Sequence, residues 1–329
     1  MRVLILRNTP EDEALGRLGP QNKEFYQESD IQAVSHALES AGHRVSILAA
    51  DLGLMDGLRR AVGDNGGVEG LFIFNLAYGV QGHCRYTHVP SILEQAGLPY
   101  VGSGPRAHTI ALDKYLTKVV LERAGQPTPA FQLMGAVDQP LAETLGFPLI
   151  VKPQAESTSF GIEVARDEAG LRAAVKNILE VWRQPALVEA FIPGMEVNCG
   201  LLGNDPPTAL PVLEIDYRED KDPLAILSNE KKVQRAVSHV CPARLSPEVA
   251  AKVQRLSVQA FAAIGCLDAA RLDFRIDSDG QPWILEINSM VAIHTASSYF
   301  DAAQVLGMTH PVMINKIFDA ALTRYQPTI

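Results

Sequence analysis

The chain has 329 residues, too many for one typical small core, and its 47% hydrophobic and 20% charged content is ordinary for a globular protein. A net charge of −9 argues against nucleic acid or an anionic membrane as the main partner, while leaving room for a local basic pocket that takes a small anion. The four cysteines, Cys84, Cys199, Cys241 and Cys266, lie far apart with no Cys-x-x-Cys pair, which points to a reducing compartment, structural roles and no zinc site. No apolar run of about 18 residues occurs, and the short run at residues 3–6 reads as a strand, not a leader, so a cytoplasmic protein is expected.

Apolar runs and amphipathic stretches alternate from the start. After the strand at 3–6 comes a loop rich in charge, Gly and Pro, reaching about residue 25. A helix is expected over 29–41, with Ile31, Val34, Ala37 and Leu38 at helical spacing and Gly42 as its stop. Strands follow at 45–49 and 70–75, then a helix over 88–96 ended by Gly97, then a strand and turn at 100–104. This alternation implies a parallel sheet covered by helices. Arg7-Asn8-Thr9-Pro10-Glu11 stands where a Gly-x-Gly-x-x-Gly turn would have to be, so no dinucleotide site of that kind is expected.

One helix is expected over 109–124, with Leu112, Leu116, Val119 and Val120 inward, followed by a Pro-containing stop at 126–129 and a strand at 148–151. A further unit begins near residue 186, with strand pairs and one strongly marked helix. Ser246 is its N-cap, Pro247 opens its first turn, Val249, Val253, Leu256, Phe261 and Ile264 face the core, and Gly265 ends it.

The stretch from Arg271 to Asn288 is the most informative. Asp279-Gly280 signals a two-residue hairpin turn. A turn centred there sets Asp273 opposite Glu286 and Arg271 opposite Asn288, with Leu272, Phe274, Ile276, Leu285 and Ile287 on the apolar face. Two carboxylates opposed on a strand pair repel one another. A hard divalent ion removes that repulsion, and two carboxylates plus an amide oxygen suit magnesium. A solvated sheet face would show the same alternation.

Lys152 ends the strand at 148–151 and precedes the small-residue loop Glu156-Ser157-Thr158-Ser159, whose N–H groups and hydroxyls could receive phosphate. The loop lacks the Walker pattern, and an ordinary surface loop reads the same way. Lys114 and Lys118 stand four apart, which is ordinarily a solvated helix face. Glu189 and Glu196 flank Phe191, Ile192 and a Pro-Gly turn; the acids could accept from a base amino group and ribose hydroxyls, and a sheet edge with a turn is the plainer alternative.

Taken in order, Pro-Tyr-Val-Gly-Ser-Gly (99–104), Ala-Leu-Asp-Lys (111–114), Leu-Ile-Val-Lys-Pro (149–153), Ile-Pro-Gly-Met-Glu (192–196), Arg-Leu-Asp (271–273) and Leu-Glu-Ile-Asn (285–288) resemble the D-alanine–D-alanine ligase branch of the ATP-grasp superfamily. The resemblance runs from about Phe72 to the end of the sequence. It implies an α/β, three-domain ATP-grasp fold: an N-terminal parallel α/β domain over 1–108 and two α+β domains, 109–186 and 187–329, clamping ATP. It also implies that Lys114, Lys152 and Ser157 meet phosphates, and that Glu189, Phe191, Ile192 and Glu196 hold adenine and ribose. Lys232 or Lys231 matches a loop lysine that reaches the nucleotide. Asp273, Glu286 and Asn288 would bind two magnesium ions, for which manganese could substitute, and Arg271 would stabilise phosphoryl transfer. The implied chemistry is phosphorylation of a carboxylate followed by attack of an amine. The implied partners are a small amino acid and a small acceptor, with no nucleic acid or membrane, in a homodimer formed through the N-terminal domain.

The sequence departs from the family where amino acids would bind. Arg7-Asn-Thr-Pro-Glu replaces Gly-Gly-x-Ser-x-Glu, residues 76–86 replace a Gly-Glu-Asp-Gly segment, and Ser289-Met-Val-Ala-Ile follows Asn288. Tyr78, Arg85, Tyr86, Thr158, His294 and Ser297 are therefore the candidates for an altered acceptor pocket, with Arg85 as a carboxylate clamp. The 78–88 segment is similar to the ligases of mycosporine-like amino acid biosynthesis, in which a conjugated ketone oxygen is activated and the product is an imine. A nucleotide binder without turnover is a reading from another class, against which the intact Arg271, Asp273, Glu286 and Asn288 speak.

Overall fold

The computed structural model describes residues 1–9, 22–63, 67–217, 224, 226 and 237–326. Among these residues the strands form three sheets. The first is parallel and holds β1 (Arg2–Arg7), β2 (Arg44–Ala49), β3 (Leu71–Asn75) and β4 (Tyr100–Val101) in the order β2-β1-β3-β4. Helices α1 (Glu28–Ser40), α2 (Leu54–Gly63) and α3 (His88–Ala96) connect them. Val3 and Ile5 face one side of the sheet and Leu4 and Leu6 the other, each in its own apolar cluster, so this run is apolar without interruption.

The helix expected over 109–124 is two helices, α4 (Pro105–Leu112) and α5 (Lys114–Arg123). Asp113 breaks them: its backbone is extended, and its side chain caps α5 by accepting from the Leu116 N–H at 3.0 Å. The break rotates the second half of the pattern. Leu116 is exposed, while Thr117, Lys118 and Leu121 face inward.

The second sheet is antiparallel, ordered β5-β8-β6-β7, from β5 (Phe131–Met134), β6 (Leu149–Pro153), β7 (Glu163–Ala165) and, after α6 (Glu168–Asn177), β8 (Ala186–Ala190). A division at 186/187 thus falls inside β8, which belongs with the central sheet. The third sheet is built on β9 (Met195–Leu202), β10 (Thr208–Ala209), β11 (Leu213–Asp216), β12 (Ser238–Val240), β13 (Ala269–Ile276) and β14 (Pro282–Asn288), with β9 central between β11 and β13. Helix α7 (Pro247–Ile264) covers its back, capped by Ser246 and ended by left-handed Gly265 as the sequence indicates. Ala107, Ala111 and Leu121 join that same core, so the apolar faces of α4 and α5 pack with the third sheet.

The chain then returns to its beginning. Helices α8 (Ser298–Val305) and α9 (His310–Tyr325) carry Tyr299, Ile314, Ile317 and Phe318 into the cluster that holds Ile31, Phe72 and Phe74. Phe318 meets Phe72 edge-on at 5.2 Å and stacks over Phe74 at 6.4 Å. Among the described residues no helix is long and apolar enough to cross a membrane. Cys199 and Cys266 are buried, whereas Cys84 is exposed, against the expectation of a structural role for each. Phe318→Ala removes a fully buried ring from the seam between α9 and the first sheet. It should cost about 3–5 kcal/mol in urea unfolding, with the loss absent from an exposed control such as Val312→Ala.

Candidate active site

The site is organised by the β13–β14 hairpin. Leu272 and Phe274 are fully buried and Ile276 nearly so, packed with Val253 and Phe261 of α7. Strand alternation then turns Arg271, Asp273 and Arg275 to the opposite side, where they line a cavity of about 750 Å3 between the second and third sheets. Arg271 pairs with Asn288 and Asp273 with Glu286, the expected register. The route to it differs. The connection is a five-residue loop, 277–281, in which Asp277 accepts from the N–H groups of Asp279 and Gln281 and from Trp283 Nε1. Ile276 faces Pro282, and a bulge at Leu285 restores the register before Glu286. The bulge also corrects the expected facing of Leu285. Ile284 takes the core position beside Ile287, and Leu285 turns with Glu286 to the cavity.

The opposed carboxylates are held by two protein cations. Arg271 grips Asp273 with two bonds, Nε to Oδ1 and Nη2 to Oδ2, both 2.8 Å. Asn288 Nδ2 donates to Asp273 Oδ2 at 3.0 Å, and Lys114 Nζ lies 3.1 Å from Glu286 Oε2. Lys114 opens α5 and also donates to the Glu156 carbonyl, so it joins the hairpin to the loop after β6. Among the described residues no three His, Cys, Asp or Glu side chains form a preformed metal cage. The donor set is two carboxylates and one amide oxygen facing a cavity, which fits magnesium, an ion that keeps waters and takes further oxygens from phosphate.

A second charge cluster lies under β6 and β8. Lys152 Nζ is 2.7 Å from Glu189 Oε1, and Lys118 Nζ is 3.4 Å from Glu189 Oε2. Burial by itself would push Glu189 up; Lys118 and Lys152 instead hold it below the usual carboxylate range. Burial lowers Lys118 to about 8. Lys118 is therefore no solvated helix face. Glu189 lines the cavity, but its carboxylate faces these lysines, so the expectation that it receives a base amino group is revised. Phe191, Ile192, Ile150 and Leu285 give the cavity an apolar wall. Glu196 lines it too, with Oε2 receiving the Tyr217 hydroxyl at 2.5 Å and Arg275 at 3.1 Å. Arg275 also sits over the Phe191 ring at 5.4 Å.

At the other end loops and a 3-10 turn of the N-terminal unit close the cavity with Glu24, Tyr78 and Tyr86. Tyr78 stacks on Tyr26 at 5.6 Å, and burial keeps Tyr78 and Tyr86 as neutral phenols. Tyr86 donates to both oxygens of Glu24, and Ser157 donates to Glu24 as well. Thr158 and Ser159, both with left-handed backbones (φ 52° and 59°), bring the loop over the cavity beside Ser157. His294 and Ser297 line the same end; burial lowers the His294 pKa, and Ser297 caps α8 by accepting from the Phe300 N–H. Arg85 departs from expectation. It is 4% exposed, is not part of the cavity wall, and binds Glu24, Glu156, Ser157 and the Ala155 carbonyl. Its guanidinium faces these groups and not the cavity, unlike the expected clamp. Lys231 and Lys232 lie outside the described residues.

Sequence reading missed Glu24, Lys118, Asn198 and His239. Glu24 sits in a loop without periodicity, and Lys118 is masked by the helix break. Asn198 is signalled only by register, being the β9 neighbour of Asp273. His239 lines the cavity with its Nδ1 2.6 Å from Asp301 Oδ2.

Two β-containing lobes closing on a cavity edged by lysines and by an Asp–Glu–Asn face define an ATP-grasp protein. Residues 120–319 match the family described as D-ala D-ala ligase C-terminus. The chain belongs to the D-alanine–D-alanine ligase family. It is 38% identical to the uncharacterized protein y4sG of Sinorhizobium fredii, over 99% of this chain and 98% of that one. It is 32% identical to a D-alanine–D-alanine ligase of Synechococcus sp., over 90% and 89%. The structure of D-alanine–D-alanine ligase from Bacillus anthracis complexed with ATP superposes with a TM-score of 0.75 at 20% identity, covering 98% of both chains.

Beside β14, His108 of α4 is buried and its Nδ1 lies 2.8 Å from Ser289 Oγ, next to Asn288. Burial lowers its pKa from 6.5 to about 4. The unfolded chain binds a proton near pH 6.5 and the folded chain only near 4, so acidification across that window favours unfolding. Wild type should lose on the order of 3 kcal/mol through this group by pH 4. His108→Gln should flatten that part of the pH dependence, as read by urea midpoints between pH 7 and 4.

Proposed function

We propose that this chain is an ATP- and magnesium-dependent, ADP-forming carbon–nitrogen ligase that joins the amine of a small amino acid to a phosphate-activated carboxylate of a small acceptor. The observation carrying this reading is the Asp273–Glu286 pair with Asn288, facing a cavity that Lys114, Lys152 and Arg271 also enter. In this reading Asp273, Glu286 and Asn288 hold magnesium, as two ions, which neutralises charge on the triphosphate. Lys114 and Lys152 neutralise phosphate oxygens, the apolar wall of Phe191, Ile192 and Leu285 takes the base, and Glu196 takes ribose hydroxyls.

The acceptor carboxylate oxygen attacks the γ-phosphorus, the bond to the β-phosphate bridging oxygen breaks, and ADP leaves. The amine nitrogen then attacks the carbonyl carbon of the acyl phosphate, inorganic phosphate departs with the C–O bond electrons, and the nitrogen loses its proton. Arg271, already fixed on Asp273, balances charge on the transferring phosphoryl group and on the tetrahedral oxyanion without having to reorganise. A ligand amino group is supported by the charge count at the far end. Among the described residues Arg85 is the one cation paired with the carboxylates of Glu24 and Glu156, so these three side chains together carry one more negative than positive charge where Glu24 meets the cavity.

The test is ADP release from purified protein with ATP and magnesium, across single and paired amino acids including D-alanine, with tandem mass spectrometry of the product. Acceptor-dependent release that Asp273→Asn cuts by roughly 100-fold or more is expected. Release with D-alanine alone would make the product a D-alanine dipeptide. Nucleotide binding with no acceptor-dependent release across the panel would sink the ligase reading.

A further inference from the structure

Arg85 is a buried guanidinium that the proposed chemistry does not use. It comes from a 3-10 turn, Arg85–Thr87, just before α3 in the N-terminal unit, yet most of its partners belong to the central unit. Its Nη2 donates to Ser157 Oγ at 2.9 Å and lies 3.3 Å from Glu156 Oε2, and its Nη1 donates to the Ala155 carbonyl at 3.3 Å. The same Nη2 is 3.2 Å from Glu24 Oε1. Gln184 closes the far side, with Nε2 donating to Glu156 Oε1 and Oε1 accepting from the Ala155 N–H. Arg85 therefore sits between Glu24, which lines the cavity, and the base of the loop that carries Ser157, Thr158 and Ser159 over it. Gly79 keeps the turn close by: a Cβ there would lie 2.2 Å from the Arg85 carbonyl oxygen.

We propose that Arg85 is a positioning residue that couples binding of the amino group of an amino acid substrate at Glu24 to the loop 156–159 that would meet phosphate, so that amino acid and nucleotide bind with positive cooperativity. This rests on the reading of Glu24 as the carboxylate that meets the substrate. Among the described residues Glu24 and Glu156 share one guanidinium, in a setting where the side chains of Arg85, Glu24 and Glu156 are 5%, 11% and 10% exposed. An ammonium arriving at Glu24 supplies the missing positive charge. Arg85 is then drawn more fully to Glu156, Ser157 and the Ala155 carbonyl, and the loop is fixed in its place against phosphate. By linkage, nucleotide on the loop strengthens substrate binding at Glu24 by the same factor. Because Arg85 touches neither ligand, its removal changes the coupling more than either separate affinity.

The experiment uses full-length wild type, Arg85→Met and Arg85→Lys. Amide exchange measured without any ligand should rise about ten-fold in peptides covering 153–162 of Arg85→Met. The third sheet should be unchanged, and Arg85→Lys should recover part of the protection. The second arm measures the Kd of magnesium and a non-hydrolysable ATP analogue with and without the amino acid that best drives ADP release. Wild type should tighten about five-fold or more on adding the amino acid, and Arg85→Met by less than about two-fold. Unchanged exchange in 153–162, a rise spread evenly over the chain, or full coupling retained in Arg85→Met would each overturn the proposal. An amino acid panel giving no ADP release would count against the ligase reading, and the exchange measurement would still decide for or against Arg85.

Discussion

Everything at the cavity depends on a hairpin that is apolar on one face and charged on the other. Leu272, Phe274, Ile284 and Ile287 pack under α7, and that burial fixes which side chains must turn the other way. A one-residue slip would carry the whole charged set into the core, so register here is enforced by the hydrophobic effect. The consequence is an electrostatic frustration built into the ladder. Asp273 and Glu286 stand opposite each other and are tolerable only with cations, which Arg271 and Lys114 supply from the protein. The same two cations are then in place for an anionic ligand.

The second charge cluster shows the same logic at greater depth. A buried carboxylate between two buried lysines is costly to desolvate, and removal of any one member leaves an uncompensated charge. Lys118 also donates to Thr128 Oγ1, and Thr128 in turn donates to the Ile284 carbonyl of β14. The triad thus links the strand carrying Lys152 and the strand carrying Glu189 to the hairpin carrying Glu286. Its position at the junction of the two sheets gives a structural meaning to charges that do not all reach the cavity.

Connectivity assigns the elements differently from their order along the chain. Helices α4 and α5 precede the central sheet in sequence but pack on the third, and α9 closes the core of the first. Arg324 of α9 illustrates the closure: it binds Asp268 and the carbonyls of Tyr100 and Gly102, tying the third sheet to the last strand of the first. The N-terminal unit is therefore held to the lobe that carries Asp273, and Glu24, Tyr78 and Tyr86 are presented to the cavity by a fixed frame.

The sequence by itself determined the parallel first sheet, the capped helix α7 and the alternation that puts Asp273 on the charged face of its strand, because each is written in local periodicity, capping residues and strand alternation. It also carried the ordered motifs by which the family is recognised. Tertiary structure decided the rest. Asp113 splits one helical pattern into two, and only packing shows that Lys118 then faces inward. Asp279-Gly280 signals a two-residue turn where the chain makes a five-residue loop, and a bulge at Leu285 compensates, so the register at the site agrees while the facing of Leu285 does not. Arg85 and Ser157 are 72 positions apart, and Glu24 and Ser157 are 133 apart. No periodicity reports such contacts, because buried charges choose partners by proximity in the folded chain. Glu24 faces the cavity and Arg85 does not for that reason.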